Sequence, residues 1–382
     1  MLRVLHLVEN DPGPTEPMTL ALVAESIQGS DAYTSKLLLL GGRTSITDAE
    51  KVGIHNADRL GLPGTIPLLG WAAARNWLGH QQSFDLVHCW SAGSLMLACV
   101  MLPQTPKIWT VARPPAVGVI KRLLWLTRRH RAGQVTALVT TEWAQQALAR
   151  GGWNLVAIPL LEPAIDLARV HTRRDDIRHR WKVDAKTQVV ALVSEPTSEA
   201  DALRASVAAN QTYAALKSRR GPEPHLRLLV HPRQYRRHAA QKTMEAFGSP
   251  AGIIQEGRLD SPWSVLPGCD AALALGGTSA GLQWAMASGV PVVAELTGAL
   301  GALTDDGRTA LMARPHDHLS IASQLLRLLH EPHLAAALAK RARIQIEHRS
   351  NPQQYRRDLA EHYARTISDQ HGDTLRLPRM TI

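Results

Sequence analysis

The stretch "GGTSAGLQWAMASGVPVVAEL", residues 276–296, decides how the rest of the chain is read. Gly276 and Gly277 open it, Thr278 and Ser279 follow, and small and apolar residues then run at helical spacing up to Gly289. Gly289 reads as a helix stop, and the apolar run after it suits a strand buried on both faces. A glycine loop leading into a helix gathers free backbone N–H groups at one place, which suits an anion. A plainer role for the same residues is local, with Thr278 or Ser279 as the helix cap and the glycines as a tight turn. The one carboxylate of the stretch is Glu295, at the end of the strand.

Outward from this stretch the pattern of apolar run, turn and helix repeats. Upstream in the same half are "QVVALVSE" (188–195), "HLRLLVHP" (225–232), "AGIIQEG" (251–257) and "CDAALALGG" (269–277); downstream is "TALMARP" (309–315). The first half carries its own set: "LRVLHLV" (2–8), "SKLLLLGG" (35–42), "FDLVHCW" (84–90), "PKIWTVARPP" (106–115), "VTALVTT" (135–141) and "NLVAIPL" (154–160). Apolar runs alternating with helices predict an α/β fold of two Rossmann-like, doubly wound domains facing a central cleft. A charged stretch over 166–186 interrupts the alternation. It places the first domain at 1–170 and the second at 171–350, with a helix and polar tail over 351–382 that returns to the first domain.

Bulk composition agrees with two folded domains. A chain of 382 residues with 45% hydrophobic and 20% charged residues has enough apolar surface for more than one core. No apolar run reaches membrane-spanning length. The N-terminus "MLRVLHLVEN" reads as a first strand rather than a signal peptide. Cys89, Cys99 and Cys269 have no metal-ligand spacing and leave an odd count, and a reduced, cytoplasmic setting fits them. The net charge of +10 is either a solvated basic surface or an attraction for an anionic partner. With 4% aromatic residues and no basic run interleaved with stacking side chains, nucleic acid is not an expected partner. Residues 119–134, "VIKRLLWLTRRHRAGQ", carry five Lys and Arg and no acid. A helix there packs in the core with a basic outer face, or lies on an anionic membrane surface at the inner face.

Two segments of the second half carry a family resemblance. Ala285-Met286-Ala287-Ser288-Gly289-Val290-Pro291-Val292-Val293-Ala294 and Asp306-Gly307-Arg308-Thr309-Ala310-Leu311 resemble the donor half of GT-B glycosyltransferases of the GT4-type, or group 1, family. The first half, through "LRVLHLVE", "FDLVHCW" and "VTALVTTEWAQQALARGGWNLVAIPLLEPAID", is similar to that family's acceptor domain. The resemblance implies transfer of a sugar from a nucleotide-sugar donor to a glycan or lipid-linked acceptor, without metal or other cofactor. Where the family carries its donor-site glutamates this chain has Gly276 and Trp284. Where it carries a cationic pair the chain has Glu195 and Ala200, and Ala112-Arg113 stand near its histidine position. A catalytically inert relative that binds sugar, nucleotide or a partner protein is the alternative that these exchanges raise.

The candidate residues follow from strand ends, where ligands of open α/β sheets bind. His88 and Arg113 end strands of the first half and Glu295 ends one of the second, and these three are the catalytic candidates, with a buried structural histidine as the plainer reading of His88. Gly276, Gly277, Thr278 and Ser279 form the donor loop, with Thr297 and Gly298 in the turn after Glu295. His231 and Arg233 follow "LLV", and an arginine fork there suits a phosphate.

Overall fold

A computed structural model describes residues 1–8, 19–27, 32–41, 46–51, 53–62, 68–111, 115–129, 135–153, 158–170, 173–193, 199–220, 226–230, 252–256, 264–276 and 279–371. The apolar runs become parallel strands in two six-stranded sheets. The first sheet holds β1 (Leu2–Val8), β2 (Tyr33–Gly41), β3 (Ala57–Leu62), β4 (Leu86–Cys89), β5 (Lys107–Val111) and β6 (Val135–Val139), in the order β3-β2-β1-β4-β5-β6. The second holds β7 (Gln188–Leu192), β8 (Leu226–Val230), β9 (Gly252–Gln255), β10 (Ala271–Ala274), β11 (Val292–Glu295) and β12 (Leu311–Ala313), in the order β12-β11-β10-β7-β8-β9. Counted from its own first strand, each sheet has the same doubly wound order, 3-2-1-4-5-6. The order reverses between β1 and β4 in one sheet and between β7 and β10 in the other, and the carboxyl ends there are where such sheets take ligands.

The described residues fall into two compact units. One comprises Met1–Gly13, Leu22–Pro163 and Pro352–Ile382, the other Pro14–Ala21 and Ala164–Asn351. In the first, Leu5, Leu7, Leu38, Leu40, Val87, Trp109, Val111 and Val139 form one buried cluster with Ile120, Leu123 and Leu148 from the covering helices. The helix Ala92–Met101 starts on a reciprocal capping pair, Ser91 and Ser94. The carbonyls just beyond its end are held by the buried Lys107, whose Nζ donates to Leu102 O at 2.7 Å, Thr105 O at 2.5 Å and Pro103 O at 3.3 Å. Burial lowers the pKa of that ammonium.

The final helix, Pro352–His371, is stitched to this unit by polar contacts. Tyr355 OH meets Ser26 Oγ at 2.9 Å, Arg356 pairs with the buried Glu25 at 3.3 Å, and Thr366 meets Thr136 at 2.9 Å. The strand expected over 154–160 shows only a bridge between Leu160 and Val139, residues 154–157 lying outside the described set. The edge strand β3 was not expected, because "ADRLGL" lacks the continuous apolar run of a central strand.

In the second unit the charged stretch finds a structural use. Asp270, just before β10, takes Arg174 at 2.6 Å, Arg178 at 3.1 Å and the backbone N–H of Val189 at 2.7 Å. Arg178 also donates to Gly268 O and Asp184 O, so the short helix Arg174–Arg180 is clamped to the start of this sheet. That clamp places the charged helix within the second unit, whose main segment runs from Ala164 to Asn351. No helix among the described residues is long and apolar enough to cross a membrane. Among them, no three His, Cys, Asp or Glu side chains are grouped as a metal site requires.

Candidate functional site

At the carboxyl edge of the second sheet, four elements converge on one carboxylate. Glu295, the last residue of β11, is fully buried. Its Oε2 accepts the N–H of Gly276 and its Oε1 the N–H of His316, each at 3.1 Å. Arg204, from the helix Glu199–Arg220 that follows β7, lies against it with Nε 3.2 Å from Oε1 and Nη2 3.3 Å from Oε2. The same guanidinium pairs with Asp201, one turn earlier on the helix and also buried. A carboxylate out of water needs this number of donors, since an unpaired buried charge is expensive.

The two backbone donors share an unusual conformation. Gly276 has φ +77° and His316 φ +60°, so both turns are left-handed where their N–H groups reach Glu295. Gly276 has a second reason to be glycine, because a Cβ there would run into the Asp201 carboxylate. Gly281 has a similar one: a Cβ on it would strike the carbonyl of Val193, just past β7. The helix Ser279–Ala287 therefore approaches the switch point between β7 and β10 as closely as backbone allows. On this buried helix Gln283 keeps its Oε1 without a hydrogen-bond partner.

This arrangement can be compared with known proteins. No protein-family model and no curated protein sequence matches the chain. Solved structures do. HepE of Anabaena, in complex with UDP and glucose, superposes with a TM-score of 0.75 at 15% identity, over 96% of this chain and 100% of that one. Sucrose-phosphate synthase from Thermosynechococcus elongatus gives 0.71 at 14% identity over 97% and 100%, and a glycosyltransferase from Rickettsia africae ESF-5 gives 0.70 at 14% over 96% and 99%. The chain has the GT-B fold.

Within the GT-B frame the candidate residues fare differently. Glu295 is placed at the expected strand end, but its oxygens are taken up by Gly276, His316 and Arg204 rather than turned outward. The Gly276 N–H is likewise spent on Glu295, so any anion contact falls to the groups after it. Thr297 directs its N–H to Glu295 O at 2.7 Å and precedes the short helix Gly298–Gly301, and its buried hydroxyl has no hydrogen-bond partner. Arg113, His231, Arg233, Gly277 and Thr278 lie outside the described residues, as does the side chain of Ser279.

His88 belongs to the first unit. It sits fully buried in β4, opposite His6 of β1 in register. Its Nδ1 hydrogen-bonds Tyr363 OH and its Nε2 hydrogen-bonds Thr110 Oγ1, each at 2.7 Å. Its ring stacks on Trp90 at 4.4 Å between centroids. His6 accepts the indole N–H of Trp90 at 3.2 Å and reaches Ser35 Oγ at 3.1 Å. Burial pulls the His6 pKa down to about 3, and burial together with the neighbouring His6 holds His88 well below the usual histidine range. Both rings are therefore neutral at pH 7. Both nitrogens of His88 are engaged inside the unit, which matches the plainer reading of a buried structural histidine, and through Tyr363 the ring fastens the last helix.

Sequence reasoning missed Asp201, Arg204, Gly281 and Gln283. A glycine inside a helical pattern is a signal for close backbone approach and could have found Gly281. Arg204 and Asp201 read as an ordinary pair on a helix surface, and nothing local marks their third partner, Glu295.

Proposed function

We propose that the chain transfers a sugar from a nucleotide-sugar donor, with the donor diphosphate held at the start of the helix Ser279–Ala287. The observation that carries the reading is the Gly276 turn, held left-handed by Glu295 at the switch point of the second sheet. HepE, a structural neighbour over its whole length, is known in complex with UDP-glucose, which supports this class of donor. Transfer breaks the bond between the sugar's anomeric carbon and a diphosphate oxygen, so negative charge grows on the leaving group. Backbone N–H groups at a helix start stabilise such charge without reorganising. In this reading Thr278, Ser279 and Arg233 share that task and no metal takes part in it.

Glu295 and Arg204 act as positioning residues, fixing the turn from which the loop departs. Thr297 and Gln283 offer unsatisfied polar atoms for the donor's hydroxyl or amide groups. Arg113 clamps an anionic group of donor or acceptor, and the acceptor is a glycan or a lipid-linked glycan.

Thermal-shift measurements with UDP-, GDP- and ADP-sugars test the reading. A rise in the unfolding midpoint with one donor class, lost in Thr278→Ala and Arg233→Ala, together with slow donor hydrolysis, is the expected result. No response to any of the three donor classes would overturn it and leave a GT-B relative that serves as a binding protein.

A further inference from the structure

The helix Val117–Arg129 divides its residues sharply. Ile120 and Leu123 are buried in the core of the first unit, and the Ile120 side chain packs on Gly151. Val117, Lys121 and Trp125, four residues apart, fall on the opposite side with Gly118 and Arg122. All five are exposed, Val117 at 47% and Trp125 at 54%, so two apolar side chains stand among the cations on one face. The surrounding sequence is one-signed. No Asp or Glu occurs between Asp85 and Glu142, while Lys107, Arg113, Lys121, Arg122, Arg128, Arg129 and Arg131 do. The helices packed on either side, Ala92–Met101 and Glu142–Arg150, bring only Glu142 as an acid, set against Arg150.

We propose that the face made by Val117, Lys121, Arg122 and Trp125 docks the protein on an anionic phospholipid surface. An exposed indole flanked by cations suits the headgroup region, where the ring sits at the interface and the charges meet phosphates. The inner side of the helix is committed to the core, so binding rests on a shallow apolar contact and charge rather than on insertion of the helix. Such a contact is reversible and salt-sensitive. The proposal concerns where the chain works and does not depend on the donor reading.

Sedimentation of the full chain with vesicles tests it. Vesicles of phosphatidylcholine mixed equally with phosphatidylglycerol should carry the protein down at low salt and release it at high salt, while phosphatidylcholine alone should not. The double substitution Lys121→Glu and Arg122→Glu should weaken binding to the mixed vesicles about thirtyfold or more. Trp125→Ser should weaken it and reduce the blue shift of tryptophan emission on vesicle addition. Unfolding midpoints and nucleotide-sugar thermal shifts should match wild type in both variants, which separates failure here from failure of the donor reading. Equal recovery on phosphatidylcholine alone, no recovery on mixed vesicles, or wild-type recovery of the double variant would each overturn the proposal. So would a dimer in solution that the double variant converts to monomer, since a second copy would then cover the face.

Discussion

Arg204 lies side-on against Glu295, its Nε 3.2 Å from one carboxylate oxygen and its Nη2 3.3 Å from the other, although the two residues are 91 positions apart. Together they join the helix after β7 to the end of β11. Through the Glu295 oxygens they also hold the turns at Gly276 and His316.

Removing one partner should therefore cost more than a surface ion pair. Arg204→Met takes the guanidinium away from the fully buried Glu295 carboxylate, and about 3–5 kcal/mol of stability should be lost. Urea unfolding measures this. Glu295→Gln in the Arg204→Met background should recover part of the loss, because it removes a charge with nothing to oppose it.

Gly276→Ala meets two penalties at once, a left-handed backbone and the Asp201 carboxylate. A loss of about 2 kcal/mol or more is expected from the backbone and the contact together. The nucleotide-sugar thermal shift should vanish with it, while Gly289→Ala, whose site is open but also left-handed, should lose stability and keep the shift.

Gln283→Met tests the orphaned Oε1 directly. Exchanging a buried amide whose Oε1 has no partner for a thioether of similar size should raise the stability of the free protein by about 1 kcal/mol. Donor affinity should fall, and calorimetric titration with the donor that gives the largest thermal shift measures it. Unchanged affinity would remove Gln283 from the site.

Tyr363→Phe strands His88 Nδ1 inside the first unit and should cost about 1–3 kcal/mol. Donor binding, which the proposed reading centres on the helix Ser279–Ala287 of the second unit, should be unchanged by calorimetry.

Acid should destabilise the protein through His6 and His88. Their folded-state pKa values lie below the ordinary 6.5, to about 3 for His6 and well below for His88. The unfolded chain takes up protons as pH falls through 6.5 while the folded chain does not, so stability is full above that value and declines below it. Each ring contributes a slope of about 1.4 kcal/mol per pH unit until its folded value is reached. His362, whose pKa is also lowered by burial, adds to the decline. Urea midpoints between pH 7.5 and 5 should fall accordingly, and less steeply in His6→Asn (a pH range set by the ordinary histidine pKa of about 6.5).

How much was legible follows from what leaves a local mark. Runs such as "LRVLHLV" and "VVALV" are apolar throughout because both faces of a parallel sheet are covered, so central strands declare themselves. β3 does not, because an edge strand carrying Asp58 and Arg59 needs no such run. Gly276 and Glu295 were legible as special positions from the loop and the strand end. That each satisfies the other was not, since a hydrogen bond across the sheet edge leaves no spacing in the chain.

By itself the sequence determined the α/β class, the alternation of strands and helices, the glycine turn at Gly276 and the basic helix near 120. Those depend on periodicity, turn residues and charge, which act between neighbours along the chain. The tertiary structure decided the strand order, the pairing of His88 with Tyr363, and the convergence of Asp201, Arg204, Gly276 and His316 on Glu295. These depend on which buried polar groups meet. A carboxylate taken out of water must find its donors wherever the fold brings them, and their distance along the chain plays no part in that requirement.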